Sequence, residues 1–100
     1  MRVIGKPLLE SFWKKHPQAR NPLVRWIDIV EGAVWDSFAD IRRTFRSADL
    51  DHNGGVRYVV FTVGGNKFRL TATIQYARRN IQGTVVVSQI ETHPEYDKHR

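Results

Sequence analysis

Apolar side chains recur at helical spacing near the start of the chain. Two pairs lie at i, i+4 on one face: Leu8 with Phe12, and Leu9 with Trp13. This spacing predicts a helix over residues 6–16, which Pro17 ends because proline has no amide hydrogen to continue the ladder.

A second apolar stripe predicts another helix. Its members lie at i, i+4, i+7 and i+11: Leu23, Ile27, Val30 and Val34. Asn21 is a suitable N-cap and Pro22 suits a first helical turn, so we expect the helix to begin there. Apolar residues between 36 and 45 favour a short third helix.

From Arg57 onward the apolar period changes from helical to alternating. The alternation is clearest where every second residue is apolar: Phe68, Leu70, Ala72, Ile74 and Tyr76. A period of two predicts a strand with one buried face and one wet face. Another strand is predicted over residues 84–92, and the short apolar start at residues 1–4 suits an edge strand.

The turn that precedes Phe68 has two possible registers. With Gly65-Asn66 as a two-residue loop, Val63 faces Phe68 and the large apolar groups share one side. Glycine at the first loop position also fits a type II′ turn. A Gly64-Gly65 loop would instead pair Phe61 with Phe68. Apolar matching favours the first register and leaves the second open.

The order of elements predicts the fold class. A strand, two or three helices and a C-terminal three-stranded antiparallel meander make an α+β fold, in one domain over residues 1–100. Residues 47–56 are expected to be a polar loop. Part of this loop imitates a calcium loop that starts at Asp49, but Val60 stands where the bidentate carboxylate belongs. Calcium binding is therefore not predicted.

Composition narrows the class of protein. Apolar residues make up 41% of the chain and cysteine is absent, which excludes disulfides and cysteine nucleophiles. The sequence has neither a membrane-length apolar run nor a signal-peptide core, so we expect a soluble cytoplasmic protein with no membrane partner.

The charge distribution favours a polyanionic ligand. The net charge is +6 and the pI about 10.2. Residues 57–90 hold five bases and no acid: Arg57, Lys67, Arg69, Arg78 and Arg79. A sheet-forming segment with only positive charge suits nucleic acid, and we predict that these residues contact RNA.

The last third of the chain also fits metal-free RNA cleavage. That reaction needs a base for the ribose 2′-OH, a cation for the phosphate and an acid for the leaving 5′-oxygen. Parity places Arg69 on the wet face, where residues 57–90 supply no carboxylate to compete for its guanidinium. His93 exchanges protons near neutrality, Tyr96 suits base stacking or proton transfer, and Lys98 suits a phosphate.

Each of these residues also has a structural interpretation. Arg69 suits a cross-strand pair, His93 a hydrogen-bonded structural site, and Tyr96 a lid on the core. Alternating histidines and acids near the C-terminus also suggest a metal site: His93, Glu95, Asp97 and His99. Their spacing matches no defined metal motif, so neither a metal nor another cofactor is predicted.

Five stretches of the chain resemble a known family. They are FWKKHP at 12–17, WDSFAD at 35–40, SAD at 47–49, VF at 60–61 with GNKFRL at 65–70, and THPEYDK at 92–98. The chain resembles HigB-type toxins of bacterial type II toxin–antitoxin systems, within the RelE-like ribonuclease superfamily. The last two stretches are the most specific.

The resemblance carries expectations about activity and partners. It implies a RelE-like microdomain that cleaves mRNA on translating ribosomes, and neutralisation by a HigA-type antitoxin with a helix-turn-helix DNA-binding domain. By position, Arg69 would stabilise the phosphate, His93 and Tyr96 would be catalytic, and Lys67 and Lys98 would hold RNA. The base and the acid are not assigned among these residues.

Two other classes of protein remain open from the sequence. One is a non-catalytic basic module that binds RNA or the ribosome. The other is a protein-interaction domain whose tryptophan-bearing helices receive a partner. RNA cleavage that depends on His93 would distinguish the toxin from the first, and RNA affinity would distinguish it from the second.

Overall fold

Nine helices and strands form the described part of the chain. The computed structural model describes residues 1–98, except for the side chain of Asn53. In chain order the elements are β1 (Arg2–Ile4), α1 (Lys6–Lys15), α2 (Arg20–Glu31), α3 (Phe38–Thr44), β2 (Asp49–Asn53), β3 (Val56–Val63), β4 (Phe68–Gln75), β5 (Thr84–Thr92) and α4 (His93–Asp97). A 3₁₀ turn, Pro17–Ala19, joins α1 to α2. The predicted α+β class is confirmed.

The strands make one mixed sheet in the order β1-β5-β4-β3-β2. β1 lies at one edge, parallel to β5, and the other neighbours are antiparallel. The polar loop predicted over residues 47–56 is wrong: β2 pairs with β3 along its whole length, so the meander has four strands. Backbone pairing holds this edge strand, and its polar side chains give no strand signal.

The helices cover one face of the sheet and enclose the core with it. Phe61 lies at the centre, with its ring 5.3 Å from that of Trp26, 6.2 Å from Trp35 and 5.4 Å from Phe45, measured between centroids. The predicted stripe of α2 is buried through Leu23, Ile27 and Val30. Val34 is the exception, because it lies beyond the helix and is 74% exposed.

The start of α2 differs from the prediction. Asn21 is not the N-cap, because α2 begins at Arg20 directly after the 3₁₀ turn. Ala19 precedes the helix with helical dihedral angles (φ −83°, ψ −16°), so the chain is already turning before Asn21, which lies in the first helical turn.

The register of the β3–β4 hairpin matches the favoured alternative. Val63 pairs with Phe68, and Phe61 pairs with Leu70. The amide of Lys67 donates to the carbonyl of Gly64, which leaves Gly65-Asn66 at the centre of the turn. Gly65 has φ +72°, as the first loop position of a type II′ turn requires.

A bulge in β5 decides which of its side chains face the helices. The register with β4 shifts between Thr71 and Ala72, so Ser88 is the additional residue in β5. Val87 and Ile90 are both buried, three positions apart. The bulge therefore points Glu91 to the sheet face opposite the helices.

Candidate functional site

The sheet face opposite the helices forms an open polar groove of about 880 Å³. The side chains lining it come from β2, β3, β4, β5 and α4: Asp49, Leu50, Asp51, His52, Tyr58, Val60, Thr62, Arg69, Thr71, Ser88, Gln89, Glu91 and Tyr96. Arg69 and Tyr96 are two of the three residues predicted to be catalytic. His93 lies at the same end of the sheet, at the start of α4.

Arg69 is held by the hairpin turn that precedes it. Its Nη2 donates to Oδ1 of Asn66 at 2.8 Å. Its Nη1 lies 3.4 Å from the main-chain oxygens of Asn66 and Phe68. The side chain is half-buried. The turn therefore fixes the guanidinium over the sheet before any ligand binds.

Tyr96 reaches Arg69 from the C-terminal helix. The guanidinium carbon of Arg69 lies 6.0 Å from the centroid of the Tyr96 ring. This distance is at the outer limit of a cation–π contact. The aromatic face and the guanidinium therefore border the same part of the groove.

α4 begins with a capping box. Oγ1 of Thr92 accepts from the amide of Glu95 at 3.3 Å, and Oε1 of Glu95 accepts from the amide of Thr92 at 2.9 Å. These bonds satisfy two amides at the helix start. They also hold the pKa of Glu95 below its usual value, chiefly through the backbone bond from Thr92 and then through its hydroxyl. Because residues 93–97 are helical, His93, Glu95 and Asp97 do not line one side of an extended chain, as the alternating metal alternative suggested.

His93 is held by the same hairpin turn as Arg69. Its amide donates to the carbonyl of Lys67 at 2.8 Å, and its ring Nδ1 lies 3.2 Å from the carbonyl oxygen of Asn66. Its Nε2 lies 2.9 Å from Oδ2 of Asp97, one turn along α4. Both ring nitrogens thus face acceptors, and only the doubly protonated imidazole donates to both.

A carboxylate lies across the ladder from Arg69. Glu91 is the Cα partner of Arg69, is 7% exposed and lines the groove. Arg69 therefore does have a carboxylate on a neighbouring strand, contrary to the expectation from residues 57–90, because Glu91 lies one residue beyond that range.

The remaining predicted cations fall into two groups. Lys67, in the hairpin turn, and Lys98, the C-cap of α4, are exposed at the Arg69 end. Arg78 and Arg79 follow β4 at the other end, and β4 extends about 20 Å from Arg69 to Gln75. Arg57 lies towards that end of β3 and has the parity of buried Val59, so it points away from the groove.

The groove is less basic than the charge distribution suggested. Its lining contains Arg69 and His52 but three carboxylates: Asp49, Asp51 and Glu91. A uniformly positive face for a polyanion is therefore not what the sheet presents. The arrangement instead places one guanidinium among polar and acidic groups, so it offers one arginine to a phosphate and no continuous basic track.

A comparison against protein families found a match for the chain. A model described as the RelE-like toxic component of a toxin–antitoxin system matches residues 19–99. The chain belongs to the HigB toxin family. The match includes all the site residues named above and leaves out residues 1–18, where the FWKKHP stretch lies. A search of curated proteins found no match.

Membership of this family makes the chain a toxin and implies an antitoxin partner. Within residues 1–98, no helix is long and apolar enough to cross a membrane. No group of three or more metal-ligating side chains was found among these residues. His99, a member of the metal alternative, lies outside them.

Three residues of the toxin's site were missed from the sequence. Asn66 was considered only as a turn residue, although it contacts both Arg69 and His93. Glu91 has the parity of buried Val85 and Val87, and only the bulge in β5 turns it to the groove. Asp97 was considered only as a member of the metal alternative, whereas a Thr92-x-x-Glu95 capping box would have indicated a helix and put Asp97 one turn from His93.

Proposed function

We propose that the toxin is a metal-independent endoribonuclease that cleaves mRNA, acting on translating ribosomes. The observation that carries the proposal is the shared anchoring of Arg69 and His93 by Asn66 beside a polar groove. A fixed cation and a fixed proton carrier at one point are what phosphodiester cleavage needs.

Arg69 binds the scissile phosphate. Its Nη2 and Nη1 keep their bonds to Asn66 while the rest of the planar guanidinium faces the groove for phosphate oxygens. As the 2′-oxygen attacks phosphorus, negative charge builds on those oxygens and the guanidinium stabilises it. Lys67 and Lys98, exposed nearby, hold neighbouring phosphates.

Glu91 and His93 carry the two protons. Glu91, which lines the groove across from Arg69, accepts the proton of the 2′-OH. His93 donates a proton to the 5′-oxygen as its bond to phosphorus breaks, and this requires its contact with Asp97 to open. The products are a 2′,3′-cyclic phosphate and a 5′-hydroxyl. Tyr96 stacks on a base beside the phosphate.

Induced expression without antitoxin tests this function. Wild-type toxin should arrest growth and produce new internal mRNA 5′ ends, and Arg69→Ala or His93→Ala should remove both effects. Arg79→Ala is the matched control, because it removes an exposed arginine at the other end of the sheet.

The same expression experiment distinguishes an endoribonuclease from a non-catalytic RNA- or ribosome-binding module. Intact mRNA in cells that hold folded wild-type toxin would favour that module. Two further parts of the proposal have their own tests. Co-sedimentation of the toxin with ribosomes tests ribosome binding. Sequencing of the adjacent gene tests whether the antitoxin is a HigA-type helix-turn-helix protein.

A further inference from the structure

Two strongly exposed aliphatic side chains meet at the end of the sheet away from Arg69. Val34 is 74% exposed and Ile81 is 60% exposed, the highest values among the large apolar side chains of residues 1–98. Both line one surface cavity of about 370 Å³. Exposed apolar groups that cluster in this way mark interaction sites more often than isolated ones do.

Ile81 stands between this cavity and a second one. The second cavity has a volume of about 410 Å³ and is lined by Ile74, Gln75, Tyr76, Arg78 and Ile81. We use the name distal surface for the patch that contains Val34, Tyr76, Arg78, Arg79 and Ile81. It therefore combines exposed aliphatic side chains with two concave pockets that share Arg78 and Ile81.

The distal surface is held in place by backbone hydrogen bonds. Arg78 and Ile81 exchange two of them, at 3.1 and 2.9 Å, around a tight turn in which Asn80 has φ +54°. The amide of Ala77 donates to the carbonyl of Trp35 at 2.9 Å, which joins this turn to the loop that carries Val34. A partner therefore meets a formed surface and pays little ordering entropy.

The charges around the distal surface indicate an acidic partner. Arg78 and Arg79 are exposed, and Arg57 is close enough to Tyr76 to lower the pKa that burial of this tyrosine raises. Of the two carboxylates in the first cavity, Glu31 is already paired with Lys6 at 2.8 Å, which leaves Asp36. The surface is thus apolar at its centre and positive at its rim.

We propose that the distal surface is the docking site of the antitoxin, for a segment that presents apolar side chains flanked by carboxylates. RNA fits less well, because its bases stack on flat aromatic or guanidinium faces, whereas Val34 and Ile81 offer branched aliphatic groups. The proposal uses the partner that the family implies and does not depend on whether the toxin cleaves RNA. It also explains why three arginines lie far from Arg69.

Affinity for the antitoxin encoded with this toxin, measured by titration calorimetry, tests the proposal. Ile81→Glu and Val34→Glu should each weaken binding at least roughly tenfold, as truncation or reversal of an interface centre does. Val24→Glu is the matched control, since Val24 is an exposed aliphatic residue on α2, outside both cavities. It should bind like the wild type. Thermal unfolding checks that each variant is folded, and Arg79→Glu replaces any that is not.

Two results would overturn the proposal. In the first, the distal variants bind the antitoxin as tightly as wild-type toxin does. In the second, Val24→Glu weakens binding as much as they do, so that only added negative charge matters. If, in the first case, the distal variants also lose affinity for a single-stranded RNA oligonucleotide, the surface is an RNA contact.

Discussion

Asn66 accepts a 2.8 Å hydrogen bond through Oδ1 from Nη2 of Arg69. The main-chain oxygen of the same residue lies 3.2 Å from Nδ1 of His93. One turn residue therefore sets the positions of a guanidinium on β4 and an imidazole on α4. Because the imidazole contact uses the main chain, a side-chain substitution separates the two functions.

Asn66→Ala should lower cleavage by removing the 2.8 Å bond to Nη2 of Arg69 while leaving His93 anchored. We expect a loss of roughly 10-fold to 100-fold in single-turnover rate, smaller than for Arg69→Ala, because the cation stays but keeps only its two 3.4 Å main-chain contacts. Asn66→Asp, which keeps the acceptor, should recover part of the rate. Equal losses in both variants would show that the bond to Arg69 does not matter.

Glu91→Gln should abolish most cleavage without loosening the sheet. Replacing the proposed base by a neutral isostere should cost about 10²-fold to 10⁴-fold in rate. RNA affinity should hold or rise, since a negative charge leaves the groove. Rate and affinity are measured separately on the same RNA. If the Gln variant cleaves at the wild-type rate, another group accepts the 2′ proton.

The carboxyl group of Glu95 should titrate below its ordinary pKa in the folded toxin, because Thr92 stabilises the ionised form. A lowered folded pKa stabilises the native state above the unfolded value, near 4.5, and this stabilisation is lost as the pH falls through the folded pKa. Carbon-detected NMR of Glu95 measures the titration directly. Thr92→Val removes the hydroxyl bond and keeps the larger backbone bond, so it should raise the pKa part of the way towards 4.5. An unchanged value would show that the Thr92 hydroxyl does not stabilise the carboxylate.

Phe61→Ala should destabilise the whole fold. Phe61 is fully buried and meets three aromatic rings, so its removal leaves a cavity at the centre of the core. The expected loss in the free energy of unfolding is about 3–5 kcal/mol. Chemical denaturation measures it. Val24→Ala, on the exposed side of α2, should change the unfolding free energy little.

Much of the fold was predictable because apolar periodicity reports burial. The alternation from Phe68 to Tyr76 matched a strand with one buried face, and apolar matching selected the observed hairpin register. β2 was missed for a corresponding reason. Its residues, DLDHN, make an edge strand through backbone pairing, and their side chains carry no alternating apolar signal.

The site was less predictable because it depends on register and on side-chain contacts. Arg69, His93 and Tyr96 were found by residue type and do lie at one end of the sheet. Arg57 was grouped with them, although it has the parity of Val59 and lies on the other face. Buried positions at 85, 87 and 90 carry the signal of the β5 bulge in their unequal spacing. The contact of Asn66 with Arg69 follows from turn geometry that no periodicity reports.

The chemistry of the cut ends tests the central claim most directly. mRNA is collected from cells that express wild-type toxin, Arg69→Ala or Arg79→Ala. Its new 5′ ends are then sorted by whether they carry a hydroxyl or a phosphate. Attack by the 2′-OH predicts 5′-hydroxyl ends that are abundant in wild type and in Arg79→Ala and absent in Arg69→Ala. Ends that carry 5′-phosphate, or cuts that persist without Arg69, would contradict metal-independent cleavage at this groove.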